Sequence, residues 1–171
     1  MNVIEMAKKQ VRKFSAGNDT GPAVDILDTL KKEHREVAGL LKEMVESGSG
    51  PARKKLLAGI KAALIPHLRA EEKVVYRMLI GLKDKAVQQD GYEGEVEHRA
   101  AERLLAQLSK MANAMTPEFS ATAEVLKEMV EHHVKEEESD IWDDVKDNVT
   151  LEDRQAMNLR FLAEKKRVRV N

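Results

Sequence analysis

The stretch His67-Leu-Arg-Ala-Glu71-Glu72-Lys-Val-Val75-Tyr76 returns later in the chain as His133-Val-Lys-Glu-Glu137-Glu138-Ser-Asp-Ile141-Trp142. In each copy a carboxylate follows a histidine by four residues and a second carboxylate follows at once. A β-branched residue and an aromatic close the stretch. A spacing of four puts the histidine and the first carboxylate on one helical face, one turn apart. The repeat therefore predicts two helices that carry the same imidazole and carboxylate, and the fold follows from what stands opposite them.

Two more histidines complete the pattern. In an antiparallel bundle, residues on consecutive helices share a depth when they are equidistant from the turn between them, because the chain rises about 1.5 Å per residue in either direction. Midway between His34 and His67 lie Gly50 and Pro51, inside the breaker run Ser47-Gly-Ser-Gly-Pro51. Midway between His67 and His98 stand Leu82 and Lys83, beside Gly81, and midway between His98 and His133 stand Met115 and Thr116, before Pro117. All three midpoints fall on turn signals. The expectation is an all-α, up-and-down four-helix bundle with the four histidines in one layer.

The breakers place helices over residues 23–46, 52–80, from 82 or 92 to 115, and 117–148, with Thr116 as the N-cap ahead of Pro117. Thr150-Leu-Glu-Asp153 opens a further short helix. Three regions result: a basic amphipathic segment and linker over 1–22, with Ile4, Ala7, Val11 and Phe14 on one face; the bundle over 23–149; and a helix with a basic tail over 150–171. Composition agrees, since 35% of the 171 residues are charged and aromatics are limited to three Phe, two Tyr and one Trp. That length suits one domain. The absence of cysteine removes disulfides, thiolate metal sites and thiol chemistry. No run approaches the roughly 20 apolar residues of a membrane span, and no secretory h-region opens the chain, so a soluble, cytoplasmic protein with no membrane partner is expected. Lys8, Lys9, Arg12 and Lys13 at one end and the basic residues after 159 at the other lack interleaved aromatics. They read as solvated surface, and no nucleic-acid partner is expected.

Helical phase decides which polar groups face inward. His34 interrupts the stripe Leu27, Leu30, Val37, Leu41, and His67 continues Ile60 and Leu64 toward Glu71. His98 leads to Ala101, Glu102, Leu105 and Leu108, and Leu126, Met129 and Val130 lead to His133 and Glu137. His132 runs in phase with Glu128 and Glu136 and is expected outside. The inward set is His34, His67, Glu71, His98, Glu102, His133 and Glu137. Burying them unpaired would be costly, and a bound cation resolves the cost. Nitrogen and oxygen donors without thiolate suit iron, manganese or zinc, and seven side chains are too many for one tetrahedral zinc. Two ions are the economical reading, with the carboxylates reaching between them.

These residues resemble the hemerythrin-like (HHE cation-binding) family over roughly residues 24–148. The matching text is Leu30-Lys-Lys-Glu-His34-Arg-Glu, His67-Leu-Arg-Ala-Glu71-Glu72, Glu97-His98 and His133-Val-Lys-Glu-Glu137-Glu138. The resemblance implies a non-haem diiron centre, bridged by oxo or hydroxo, with Fe-Mn or Zn as other fillings. His34, His67, His98 and His133 would be terminal ligands, and Glu71 and Glu137 bridging carboxylates. Oxygen-carrying members have a histidine where Glu102 stands. They also often have a proline after each aromatic, where this chain has Arg77 and Asp143; here Pro66 precedes His67 and is expected to kink its helix. A ferritin-like reading needs Glu-x-x-His twice, and Glu95-Val-Glu-His98 occurs once.

The resemblance implies O2, peroxide or NO as the small ligand. If Glu102 is a ligand, the third carboxylate favours ferric iron, and sensing or detoxification is expected ahead of storage or carriage. If Glu102 orients a histidine instead, that preference loses its basis. A sensing role would add a protein partner.

Overall fold

The computed structural model describes residues 23–170. The amphipathic segment and linker expected over 1–22 lie outside the described residues. The chain forms an all-helical bundle, with no strand among the described residues. Helix α1 (Ile26–Glu46) is followed by α2 (Gly50–Glu71), which passes through one π-helical turn (Glu72–Tyr76) into α3 (Arg77–Ile80). Helix α4 (Lys85–Lys110) precedes α5 (Pro117–Glu136), which passes through a second π turn (Glu137–Ile141) into α6 (Trp142–Asn148); α7 (Leu151–Lys165) closes the chain. Helix α1 packs on α2 and α5, α4 packs on α5, and α7 lies across α1 and α2.

Side-chain caps fix several helix starts. Asp25 Oδ1 accepts from the Leu27 amide at 3.1 Å, and Thr116 Oγ1 accepts from Phe119 at 3.1 Å ahead of Pro117. Thr150 caps α7 through Asp153. The first helix therefore starts at Ile26 rather than at 23, because Asp25 takes the cap. The third long helix, α4, ends at Lys110, short of the expected 115. The last helix is longer than expected. The chain continues helically through Pro66, which is buried within α2. At the loop end, buried Arg53 donates to the carbonyls of Ser47, Val45 and Ala114 and to Ser120 Oγ, which ties the α1–α2 and α4–α5 connections together.

The apolar core is in two bodies. Val37, Leu41, Ile60, Leu64, Leu105, Phe119 and Leu126 belong to one, and Ile26, Leu30, Val75, Tyr76, Leu79, Trp142 and Phe161 to the other. Each fully buried aliphatic or aromatic side chain contributes about 1.5–3 kcal/mol of transfer free energy. The break between the bodies falls after Leu30 on α1, after Leu68 on α2 and after Val130 on α5. Buried His34, His67, Glu71, His98, His133 and Glu137 occupy that break.

Candidate metal centre

The two π turns begin directly after Glu71 and at Glu137, and they explain how both copies of the repeat bury so much. An aromatic nine residues after a histidine stands about half a turn out of phase in a regular helix of 3.6 residues per turn. Each π turn absorbs the extra residue: the amide of Arg77 bonds to the Glu72 carbonyl and that of Trp142 to the Glu137 carbonyl. Tyr76 and Trp142 thereby return to the side of His67 and His133, and both are buried.

Six of the seven expected side chains meet. Glu71 Oε2 lies 3.3 Å from His67 Nε2 on its own helix and 3.7 Å from His98 Nε2 across the bundle. Glu137 Oε2 lies 3.2 Å from His34 Nε2 and 3.8 Å from His133 Nε2, and the His98 and His133 Nε2 atoms are 3.1 Å apart. Two donors that share one cation, each about 2.1 Å from it, stand roughly 3.0–3.4 Å from each other. His34, His67 and Glu71 form one group able to hold an ion, and Glu71, His98 and His133 a second, so Glu71 belongs to both.

Each imidazole has a carboxylate beside its Nδ1. His67 donates to Glu33 at 2.9 Å, His34 to Glu138 at 3.0 Å and His133 to Glu97 at 2.6 Å, and His98 Nδ1 faces Glu72 at 3.4 Å without a hydrogen bond. This leaves Nε2 pointing inward. It is the arrangement by which outer carboxylates orient metal-binding histidines and raise their basicity. The sequence pattern alone gives these acids no role. Their signal is adjacency to the inward residues: Glu33 and Glu97 precede His34 and His98, and Glu72 and Glu138 follow Glu71 and Glu137.

Glu102 is the correction. It lies outside the layer, where Arg69 grips it through two hydrogen bonds of 2.7 and 2.8 Å. From His98 onward the buried residues of α4 are His98, Ala101, Leu105 and Leu108, so Glu102 sits at the flank of the stripe, within reach of Arg69 on α2. His132 is exposed and pairs with Glu136.

Tyr76 is a further member of the layer. Its hydroxyl donates to Glu137 Oε1 at 3.0 Å and lies 3.4 Å from His133 Nε2. A Cβ on Gly94 would come within 2.5 Å of the Tyr76 ring, and one on Gly91 within 2.9 Å of Ile80. These glycines are the surface on which Tyr76 and Ile80 rest. Trp142 takes the corresponding place in the second repeat and stacks on His34 with ring centroids 6.1 Å apart.

The layer's electrostatics follow from burial and crowding. Burial would push His67 down, yet the Glu71 and Glu33 carboxylates outweigh it and raise it to about 10. His98 is lowered to about 3 by burial and by the neighbouring His133. Burial opposes the ionisation of Glu137, but His34 and His133 hold it well below the usual carboxylate range. His34 Nε2, both Glu71 oxygens and Glu137 Oε2 are buried and lack hydrogen-bond partners within the protein. Inward-facing nitrogen and oxygen atoms left bare in this way fit a cation-binding layer.

Residues 25–143, well over half of the chain, match the Hemerythrin HHE cation binding domain. The chain belongs to the hemerythrin HHE family. A curated relative, a DNA nickase of Nostoc sp. (strain PCC 7120), is 26% identical over 145 residues, which cover 85% of this chain and 40% of that protein. The chain thus spans less than half of that relative's length. No solved structure matches. A hemerythrin HHE domain binds metal cations, and the His and Glu groups of this layer are placed to do so.

Proposed function

We propose that this HHE protein holds two iron ions in an up-and-down four-helix bundle and reacts with O2, peroxide or NO in sensing or detoxification. His34, His67, Glu71, His98, His133 and Glu137 would hold the ions. The observation that carries the reading is a cavity of about 20 Å³ against the layer, lined by His34, His67, His98 and His133 and closed by apolar Val37, Leu64, Ala101 and Val130. That volume admits about one water-sized particle. It suits a particle of the size of a diatomic gas or peroxide.

Paired ferrous ions would supply electrons to such a ligand. The protein's own part is distinct. Glu33, Glu72, Glu97 and Glu138 add negative charge behind the imidazoles, which favours the ferric state, and this replaces the preference expected from Glu102. Tyr76 places a hydroxyl against Glu137 and His133.

Reaction and carriage separate in one experiment. The protein is reduced anaerobically, its metal content is measured, and its optical spectrum is followed on oxygenation. Rapid conversion to a ferric spectrum that does not revert supports sensing or detoxification, and a coloured form lost reversibly on degassing supports carriage. His67→Ala and His133→Ala should lose metal, and full occupancy in both would sink the assignment. The relative named as a DNA nickase raises DNA as a substrate. A phosphodiester is far larger than the cavity, so the metal-loaded protein should leave supercoiled plasmid intact.

A further inference from the structure

One histidine stands outside the buried layer. On the outer face of α5, His132 Nε2 lies 3.1 Å from Glu136 Oε1, one turn further on. Glu97 approaches from α4, and one donor atom from each of Glu97, His132 and Glu136 falls within 4.8 Å of the others. We propose that these three side chains form a surface site for one divalent transition-metal ion, separate from the buried pair.

The donor set supports this. An imidazole nitrogen with two carboxylate oxygens suits zinc, ferrous iron or manganese, and three protein ligands leave positions for water, as in sites where the ion exchanges. A histidine and a glutamate four apart present both donors from one helix face, so the neighbouring helix needs to add only one. Among the described residues, no lysine or arginine forms an ion pair with Glu97 or Glu136, although many other surface carboxylates of this chain have one. The two carboxylates therefore have no lysine or arginine to compete with an ion, and Glu97 shares its charge only with the imidazoles beside it.

Position gives the site a consequence. Glu97 also accepts from His133 Nδ1 at 2.6 Å. An ion outside and the ligand His133 inside share one carboxylate, so occupancy of the surface site is felt at the buried layer.

The test uses Zn²⁺ alone, titrated calorimetrically into the protein as purified, whose metal content is first measured by elemental analysis. The wild type should take one more zinc per chain than His132→Ala, whatever the buried layer holds. Glu136→Gln should weaken that extra zinc by more than about tenfold. Elemental analysis should give the same buried metal content in all three proteins. Equal zinc uptake by the wild type and His132→Ala overturns the proposal. Loss of buried metal in His132→Ala overturns it too, because His132 would then belong to the inner layer.

Discussion

Glu33 and His34 are neighbours in the chain, yet Glu33 holds His67 while His34 Nε2 faces Glu137. Glu97 and His98 divide the work in the same way, with Glu97 on His133 and His98 beside Glu71. Consecutive residues point about 100° apart on a helix, so one faces the layer and the other reaches an imidazole of the next helix from behind. Replacing Glu33 or Glu97 with Gln keeps the shape and removes the charge. Each change should weaken metal binding by about 10- to 100-fold while leaving the fold intact, as measured by metal retention against a graded chelator. Unchanged retention would show that these acids only solvate the surface. Glu102→Ala is the opposite case. Its partner Arg69 is 45% exposed and Glu102 is 29% exposed, so loss of the pair should cost less than about 1 kcal/mol and leave metal content unchanged. Metal loss in Glu102→Ala would return Glu102 to the inner set.

At the level of helices, most of the bundle is legible in the sequence because hydrophobic phase and breakers agree: the stripe through Leu27, Leu30, His34, Val37 and Leu41 is buried throughout. The ends of helices are less legible, since Asp25 and Thr116 act through single hydrogen bonds that periodicity does not record. The π turns leave a readable trace that phase counting passes over, namely Tyr76 and Trp142 nine residues after His67 and His133, where a regular helix would turn them outward. Glu102 misleads for a related reason, because a residue beside a stripe shares its spacing and only the neighbour across the groove decides its direction. Glycine makes the same distinction testable. Gly39 lies exposed within α1, and a Cβ added there would meet nothing within 4 Å, so Gly39→Ala should stabilise by up to about 1 kcal/mol. Gly94→Ala meets the Tyr76 ring at 2.5 Å and should instead destabilise by about 1–3 kcal/mol. Urea melts of the two variants should move in opposite directions, and equal shifts would mean that Gly94 is not the seat of Tyr76.

Across the whole molecule, a layer of imidazoles and carboxylates separates two apolar bodies, so the stability of the metal-free protein should depend on proton uptake in that layer. His98 is lowered to about 3 by burial and by His133. An unfolded histidine titrates near 6.5, so between about pH 3 and 6.5 the unfolded chain binds a proton at His98 that the folded chain refuses, and stability rises with pH. Glu137, held low, adds to this acid limb with the same sign. His67 has the opposite sign. Burial opposes its charge, but Glu71 and Glu33 raise it to about 10, so above about pH 6.5 the folded chain keeps a proton that the unfolded chain has released. That contribution is complete below the unfolded value and is lost as pH rises toward the folded one; His133, also raised, acts with it. Thermal melts of chelator-stripped protein should therefore peak between about pH 6 and 7 and fall on both sides. The alkaline fall should shrink in His67→Asn to the part that His133 carries. It should also flatten in metal-loaded protein, because an ion bound at Nε2 requires the neutral imidazole and gains affinity as pH rises. A stripped protein whose melting temperature climbs steadily through pH 8 would show that Glu71 and Glu33 do not hold His67 protonated, and the charge balance drawn for the layer would be wrong.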